Sequence, residues 1–292
     1  MEKVNVKIDI EKLNKILLAN LSKIKFKTIS DDYINSDEVE LILSAYLYRN
    51  LLLNDTFVSL IKDNEDLKAG NLFNIMALFR NNLENFYKFM WIIKSESLNV
   101  ENNRAKRVYF ADHLSEVKNL LSKKNHLAKV KIALRERDSD RLASLVSSCK
   151  KYNDVHQLVD QFDSINDSNI DDIIKKLNVK LENILEEIKF DNKYGLENLK
   201  LSLYNRYNEL SEYAHPNLKN TFLFLNLTRK GEWNHLLFMR DINLILLINC
   251  TLSMAFLLFE KCNLELSADD KEYLNKLQTD IQNELDKHEK GL

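Results

Sequence analysis

The sequence predicts an all-α protein: a helical bundle carrying an inserted helical hairpin. Three observations predict it. Glycine occurs 4 times and proline once in 292 residues, too few for the tight turns and phosphate loops of sheets, sandwiches and doubly wound folds. Apolar residues recur with helical spacing, as at Leu13, Ile16, Leu17, Leu21 and Ile24. Hydrophobic residues make up 45% of the chain and charged residues 29%, so it can bury a core and does not have the composition of a disordered chain.

Taken in order, the first periodic run, Ile10 to Phe26, predicts a helix. The polar cluster Ser30, Asp31, Asp32, Asn35, Ser36 and Asp37 predicts a loop and a helix start. Two long helices follow, from about Glu38 to Ile61 and from about Leu67 to Ile93, with Gly70 near their junction. Two further patterns cover about Asn103 to Leu121 and about His126 to Val146. Asn153 to Asn169, rich in Asp, Asn and Ser, predicts a connection with a short helix in it.

Ile170, Ile174, Leu177, Leu181, Ile184 and Ile188 then step by four and three in alternation. Such a heptad seam predicts a paired helix, with its partner inside the chain or in a second copy. Leu196 to Ala214 predicts the next helix, which Pro216 cannot continue and which His215 must leave. Asn217 to Lys230 reads as a short helix or an extended segment, and Gly231 as a break. The last helix starts at Ser267, with Asp270 in capping-box position.

These elements divide into an N-terminal helix and linker (1–36), a bundle (37–97 and 194–292) and an inserted hairpin with a basic arm and the seam (98–193). Cys149, Cys250 and Cys262 are odd in number and lack C-x-x-C spacing, which suits a reducing compartment. The start, MEKVNVKIDIEK, lacks the apolar core of a signal peptide, so a cytoplasmic location is expected. Ile242 to Phe259 is apolar for 18 residues, the lower edge of a membrane span. Asn243 and Asn249 inside it, and Arg240-Asp241 just before it, instead predict a buried central helix and no membrane.

Charge is uneven. Arg104 to Arg137 holds ten basic and three acidic residues, net +7, in a chain of net −2. Such an arm either meets phosphates or pairs with the acidic stretch Asp160 to Glu187. The glycine-rich phosphate loops, the H-E-x-x-H pattern, clustered Cys and His, and G-x-S-x-G are all missing. His113 and Glu116, one turn apart, read as a solvated pair and not as metal ligands. No cofactor or metal is expected.

Two helical stripes can carry chemistry. In YNRYNELSEYAHP, Tyr204, Asn208, Ser211 and His215 share one face, beside a core stripe of Leu203, Tyr207 and Leu210. His215 can exchange a proton near neutral pH, or it can simply close the helix end. In FRNNLENFYKFMW, Arg80, Glu84, Tyr87 and Trp91 share a face. An Arg in so apolar a helix needs an anion: Glu84 one turn on, or a bound phosphate or carboxylate.

Together, the R-x-x-x-E helix and the helix ending in LSEYAHP resemble bacterial all-helical proteins of the HEPN superfamily. The resemblance covers about half the chain, the helices flanking the basic insert. It implies a helical bundle, often a homodimer, and a metal-independent ribonuclease of toxin–antitoxin or anti-phage systems. The family motif places an Arg and a His, with four to six residues between them, near the end of a late helix, and His215 occupies the place of that His. The nearest upstream arginine, Arg206, has eight residues between it and His215 and lies half a turn out of phase. Asn208 stands where the family's Arg would be at the longest spacing.

The resemblance therefore implies a site of His215 as acid or base, Arg80 or Arg206 as the cation, and Ser211, Asn208 and Tyr204 as orienting groups, with Glu84 beside Arg80. It also implies an RNA partner, its backbone held by Arg104, Lys106, Arg107, Lys123, Lys124, Lys129, Lys131 and Arg135, and a partner protein of a defence system or a second copy. The other reading of the same residues is a non-catalytic adaptor or regulatory subunit that grips a protein through the seam and the basic arm.

Overall fold

The computed structural model describes residues 8–24, 39–62, 69–160, 165–166, 168–188, 199–214, 222, 226 and 233–289. The protein is all-α, with no strand among these residues. The helices are α1 (Ile10–Leu21), α2 (Val39–Lys62), α3 (Ala69–Ile93), α4 (Leu98–Lys129), α5 (Glu136–His156), α6 (Ile170–Leu177), α7 (Leu181–Glu187), α8 (Leu199–Ala214), α9 (Trp233–Lys261) and α10 (Ala268–Glu289). They form two compact units. One spans Met1–Lys25, Leu43–Ile93 and Ile188–Leu292, and the other Phe26–Ile42 and Lys94–Glu187. The expected loop Ser30 to Asp37 and the segment Asn217 to Lys230 lie, apart from residues 222 and 226, outside the described residues.

In the first unit α9 is the core helix. Ile245, Ile248, Leu252, Met254, Ala255 and Leu258 are all buried. The stretch Arg240–Lys261 is long and apolar enough to cross a membrane, and 89% of its apolar window is buried inside the protein. Burial all round a helix is what a central position requires. Around it, α3 packs on both α8 and α9, and α10 packs on α9. Phe57 of α2 meets Phe79 of α3 with ring centroids 5.0 Å apart.

Polar ties fix the remaining helices. Asp9 caps α1 by accepting from the Lys12 backbone N–H at 2.9 Å. Asn14 of α1 donates to the Leu51 carbonyl at 3.2 Å. Ser267 Oγ accepts from the Asp270 N–H at 3.1 Å, the forward half of the expected capping box. The Asp270 carboxylate is used elsewhere, accepting from Asn20 Nδ2 of α1 at 3.2 Å.

Buried asparagines run through this core. Asn85 Nδ2 of α3 donates to Asn50 Oδ1 of α2 at 3.1 Å, and Asn50 Nδ2 points at Met254 Sδ of α9 at 3.2 Å. Among the described residues, the amides of Asn54, Asn82 and Asn249 find no hydrogen-bond partner. Each such group costs free energy on burial.

The second unit is a hairpin of α4 and α5 with α6 laid on α4. Phe110, Leu114 and Val117 of α4 bury against Cys149 and Tyr152 of α5 and Ile170, Ile173 and Leu177 of α6. The structure corrects two sequence expectations here. Where helices were expected over Asn103 to Leu121 and His126 to Val146, α4 runs unbroken to Lys129 and the turn falls at 130–135. That turn contains no Gly or Pro, so nothing in its composition marks it. Lys131 adopts φ 57°, with Lys131 N–H donating to the Ala128 carbonyl at 3.0 Å and Ile132 N–H to the Leu127 carbonyl at 2.9 Å. This pair of bonds is a Schellman stop with Lys where Gly is usual.

The second correction concerns the heptad seam, which is not one helix. It breaks at Asn178–Lys180 into α6 and α7. The Arg107 guanidinium ends α6 by donating to the Leu177 carbonyl at 2.7 Å and the Lys176 carbonyl at 2.8 Å. A cation that takes the last carbonyls also complements the helix dipole. In the α6 half of the seam Ile170 and Leu177 are buried and Ile174 is partly buried, all within the second unit.

Candidate functional site at the α3–α8 contact

Among the described helices α3 and α8 share an extensive contact. The two sequence stripes meet there. Arg80 Nε of α3 donates to Ser211 Oγ of α8 at 3.1 Å, and Arg80 Nη2 lies 3.4 Å from the Tyr207 hydroxyl. The guanidinium carbon is 5.5 Å from the Tyr207 ring centroid, within cation–π range. Ser211 in turn donates to the Tyr207 carbonyl at 2.8 Å, which fixes its hydroxyl on the helix.

A local bridge from Arg80 to Glu84 is the simplest expectation from the sequence, and the structure does not make it. Glu84 pairs with Lys88 at 3.1 Å, four residues on. Among the described residues Arg80 meets hydroxyls and an aromatic ring, and no carboxylate. A guanidinium offers five N–H donors and prefers a bidentate oxyanion.

Two turns beyond Arg80 on α3, Tyr87 is fully buried and meets the Tyr207 ring edge-on at 6.5 Å. Burial, and then Cys250, Tyr207 and Tyr204, push the Tyr87 hydroxyl well above the usual phenol range. It therefore stays a neutral phenol, and its hydroxyl has no hydrogen-bond partner among the described residues.

No protein-family model, curated protein or solved structure matches this chain.

Of the other expected site residues, Tyr204 is partly buried near Tyr87, and Asn208 is exposed. His215 lies outside the described residues. Arg206 does not join Arg80. It lines a small cavity with Phe79, Leu83, Leu210, Asn243, Leu246 and Leu247, on another side of α8. The half-turn phase between Arg206 and the Ser211 face is the reason. Tyr207 was assigned by its spacing to the core stripe, yet its hydroxyl and ring both serve Arg80. The available signal was the residue type, since tyrosine on a core face carries a polar tip that seeks a partner.

In the second unit several basic residues are committed within the chain. Arg104 pairs with Glu187 at 2.6 Å, Lys118 with Asp171 at 2.7 Å, Lys123 with Asp138 at 2.6 Å, and Arg141 with Glu116. Arg107 caps α6. Lys106 is partly buried, whereas Lys124, Lys129, Lys131 and Arg135 are exposed. His113 Nδ1 sits 3.1 Å from the Tyr109 carbonyl with its ring tilted 51° against that of Tyr109, while Glu116 pairs with Arg141. No group of three or more His, Cys, Asp or Glu able to hold a metal is found among the described residues.

Proposed function

We propose that this chain is a HEPN-like, metal-independent endoribonuclease acting as a toxin or anti-phage effector, with Arg80 as its phosphate-binding cation. One observation supports the reading above the others. Arg80 reaches α8 at Ser211, on the same helical face that leads to His215, and meets no carboxylate among the described residues. The cation missing from the late-helix motif is thereby supplied from α3.

In this reading RNA is cut by its own ribose. The 2′ oxygen gives its proton to His215 and bonds to phosphorus. The bond from phosphorus to the 5′ oxygen breaks, and that oxygen takes a proton from the imidazolium or from water. Arg80 stabilises the extra negative charge on the five-coordinate phosphorus, and Ser211 and Tyr207 hold Arg80 in place. His215 is assigned by its position in the chain, one turn beyond Ser211.

The adaptor reading is less well supported. The α6 part of the seam, which would hold a partner protein, is occupied by the chain's own α4 and α5. The deciding experiment is RNA cleavage by purified protein in a chelator. His215→Ala and Arg80→Ala should each lower the rate by about 100-fold or more, while Asn208→Ala, on an exposed side chain, should have a smaller effect. Unchanged cleavage in both of the first two variants, or none in the unaltered protein, rejects the reading.

A further inference from the structure

The end of the α4–α5 hairpin carries a second surface. From Lys123 to Asp138 there are six basic and two acidic residues and no Phe, Tyr or Trp. Lys124, Lys129, Lys131, Arg135 and Arg137 are exposed. Between them stand Val130 and Ile132, which are 58% and 56% exposed. Lys123 hydrogen-bonds Asp138, and Arg135 and Arg137 lie near it, so that carboxyl is held below its usual range.

The turn is preformed. The two backbone bonds that close α4, from the N–H groups of Lys131 and Ile132, fix the chain at the start of the connection. In such a stop the residue at the place of Ile132 ordinarily packs on the one at the place of Leu127. Here Ile132 stays mostly in solvent.

We propose that this tip docks on an anionic lipid surface. The bases face the headgroups, and Val130 and Ile132 enter the acyl boundary between them. Charge complementarity names an anionic partner, and the two aliphatic side chains choose lipid over nucleic acid. A phosphate backbone offers nothing to exposed Val and Ile, and the tip has no Phe, Tyr or Trp on which the bases of single-stranded RNA would stack, His126 being its one aromatic ring. A few basic residues together with inserted apolar groups are the two signals that peripheral membrane contact requires. The contact is peripheral, unlike the span considered for Ile242 to Phe259. It uses the second unit alone, needs neither Arg80 nor His215, and assigns Lys124, Lys129, Lys131 and Arg135 to lipid in place of the RNA backbone expected from the sequence.

The test is flotation of the full chain with vesicles of phosphatidylcholine, with and without phosphatidylserine. Binding is expected only with the anionic lipid, and it should weaken as salt rises. Each lysine near such a surface contributes about fivefold to partitioning, so Lys129→Ala with Lys131→Ala should lower it about 30-fold. Val130→Ser with Ile132→Ser should lower it about tenfold. All four side chains are exposed, and unchanged thermal melting of both variants is the control. Failure of the unaltered protein to float, or flotation indifferent to salt and to both variants, overturns the proposal. So does binding of single-stranded RNA without vesicles when that binding depends on the lysines and ignores Val130 and Ile132.

Discussion

Arg80 of α3 donates through Nε to Ser211 Oγ of α8 at 3.1 Å, across 131 residues of chain. Its closest acidic neighbour in sequence on that face, Glu84, is taken by Lys88. A cation near the end of a late helix is therefore held by hydroxyl groups.

If that bond joins α3 to α8, Arg80→Ala and Ser211→Ala should not act independently. A double-mutant cycle in urea should give a coupling of about 1 kcal/mol. A coupling near zero would mean that the pair is not formed in solution.

The buried asparagines make opposite predictions according to their partners. Asn249→Leu removes an amide without hydrogen bonds among the described residues and should raise stability by about 1–2 kcal/mol. Asn85→Leu takes the donor from Asn50 and should lower it by a similar amount. Thermal melting of the two variants, compared with the unaltered protein, reads both signs.

Arg107 ends α6, so Arg107→Met should destabilise that helix by about 1–3 kcal/mol, the loss of charge-assisted bonds to two carbonyls. Amide exchange should accelerate in Ile174 to Asn178. Arg107→Lys should rescue it only partly, because an ammonium lacks the planar fork. Full rescue by Lys would show that charge alone suffices.

The cysteines should differ in reactivity. Burial pushes the Cys149 thiol up to about 12 and raises that of Cys250 as well, and both side chains are inaccessible. Cys262 is partly exposed and should be alkylated first near neutral pH. Because the folded Cys149 value lies above the ordinary value of 9.0, its contribution to stability is intact below about 9 and declines as pH rises toward about 12. Equal labelling rates for all three thiols would contradict this placement.

Much of this molecule follows from local sequence. Scarce Gly and Pro and the helical period determine the all-α class, because each acts through the backbone within a few residues. Asn243 and Asn249 in an otherwise apolar run fit a core helix, and α9 lies in the core. Ser267 marks the start of α10, because an N-cap needs only its own hydroxyl and the next turn.

Tertiary structure decided the rest. Helical spacing offers Arg80 the partner Glu84 at four residues, and nothing local says that α8 will bring Ser211 and Tyr207 closer. The heptad period suits one long helix, yet Arg107 from α4 takes the carbonyls at Leu177 and ends it. Nor does any Gly mark the turn at Lys131, where two backbone bonds hold a left-handed residue in place. Period and caps are properties of a few neighbouring residues. Which polar group a buried or half-buried charge finds depends on the packing of segments distant in the chain.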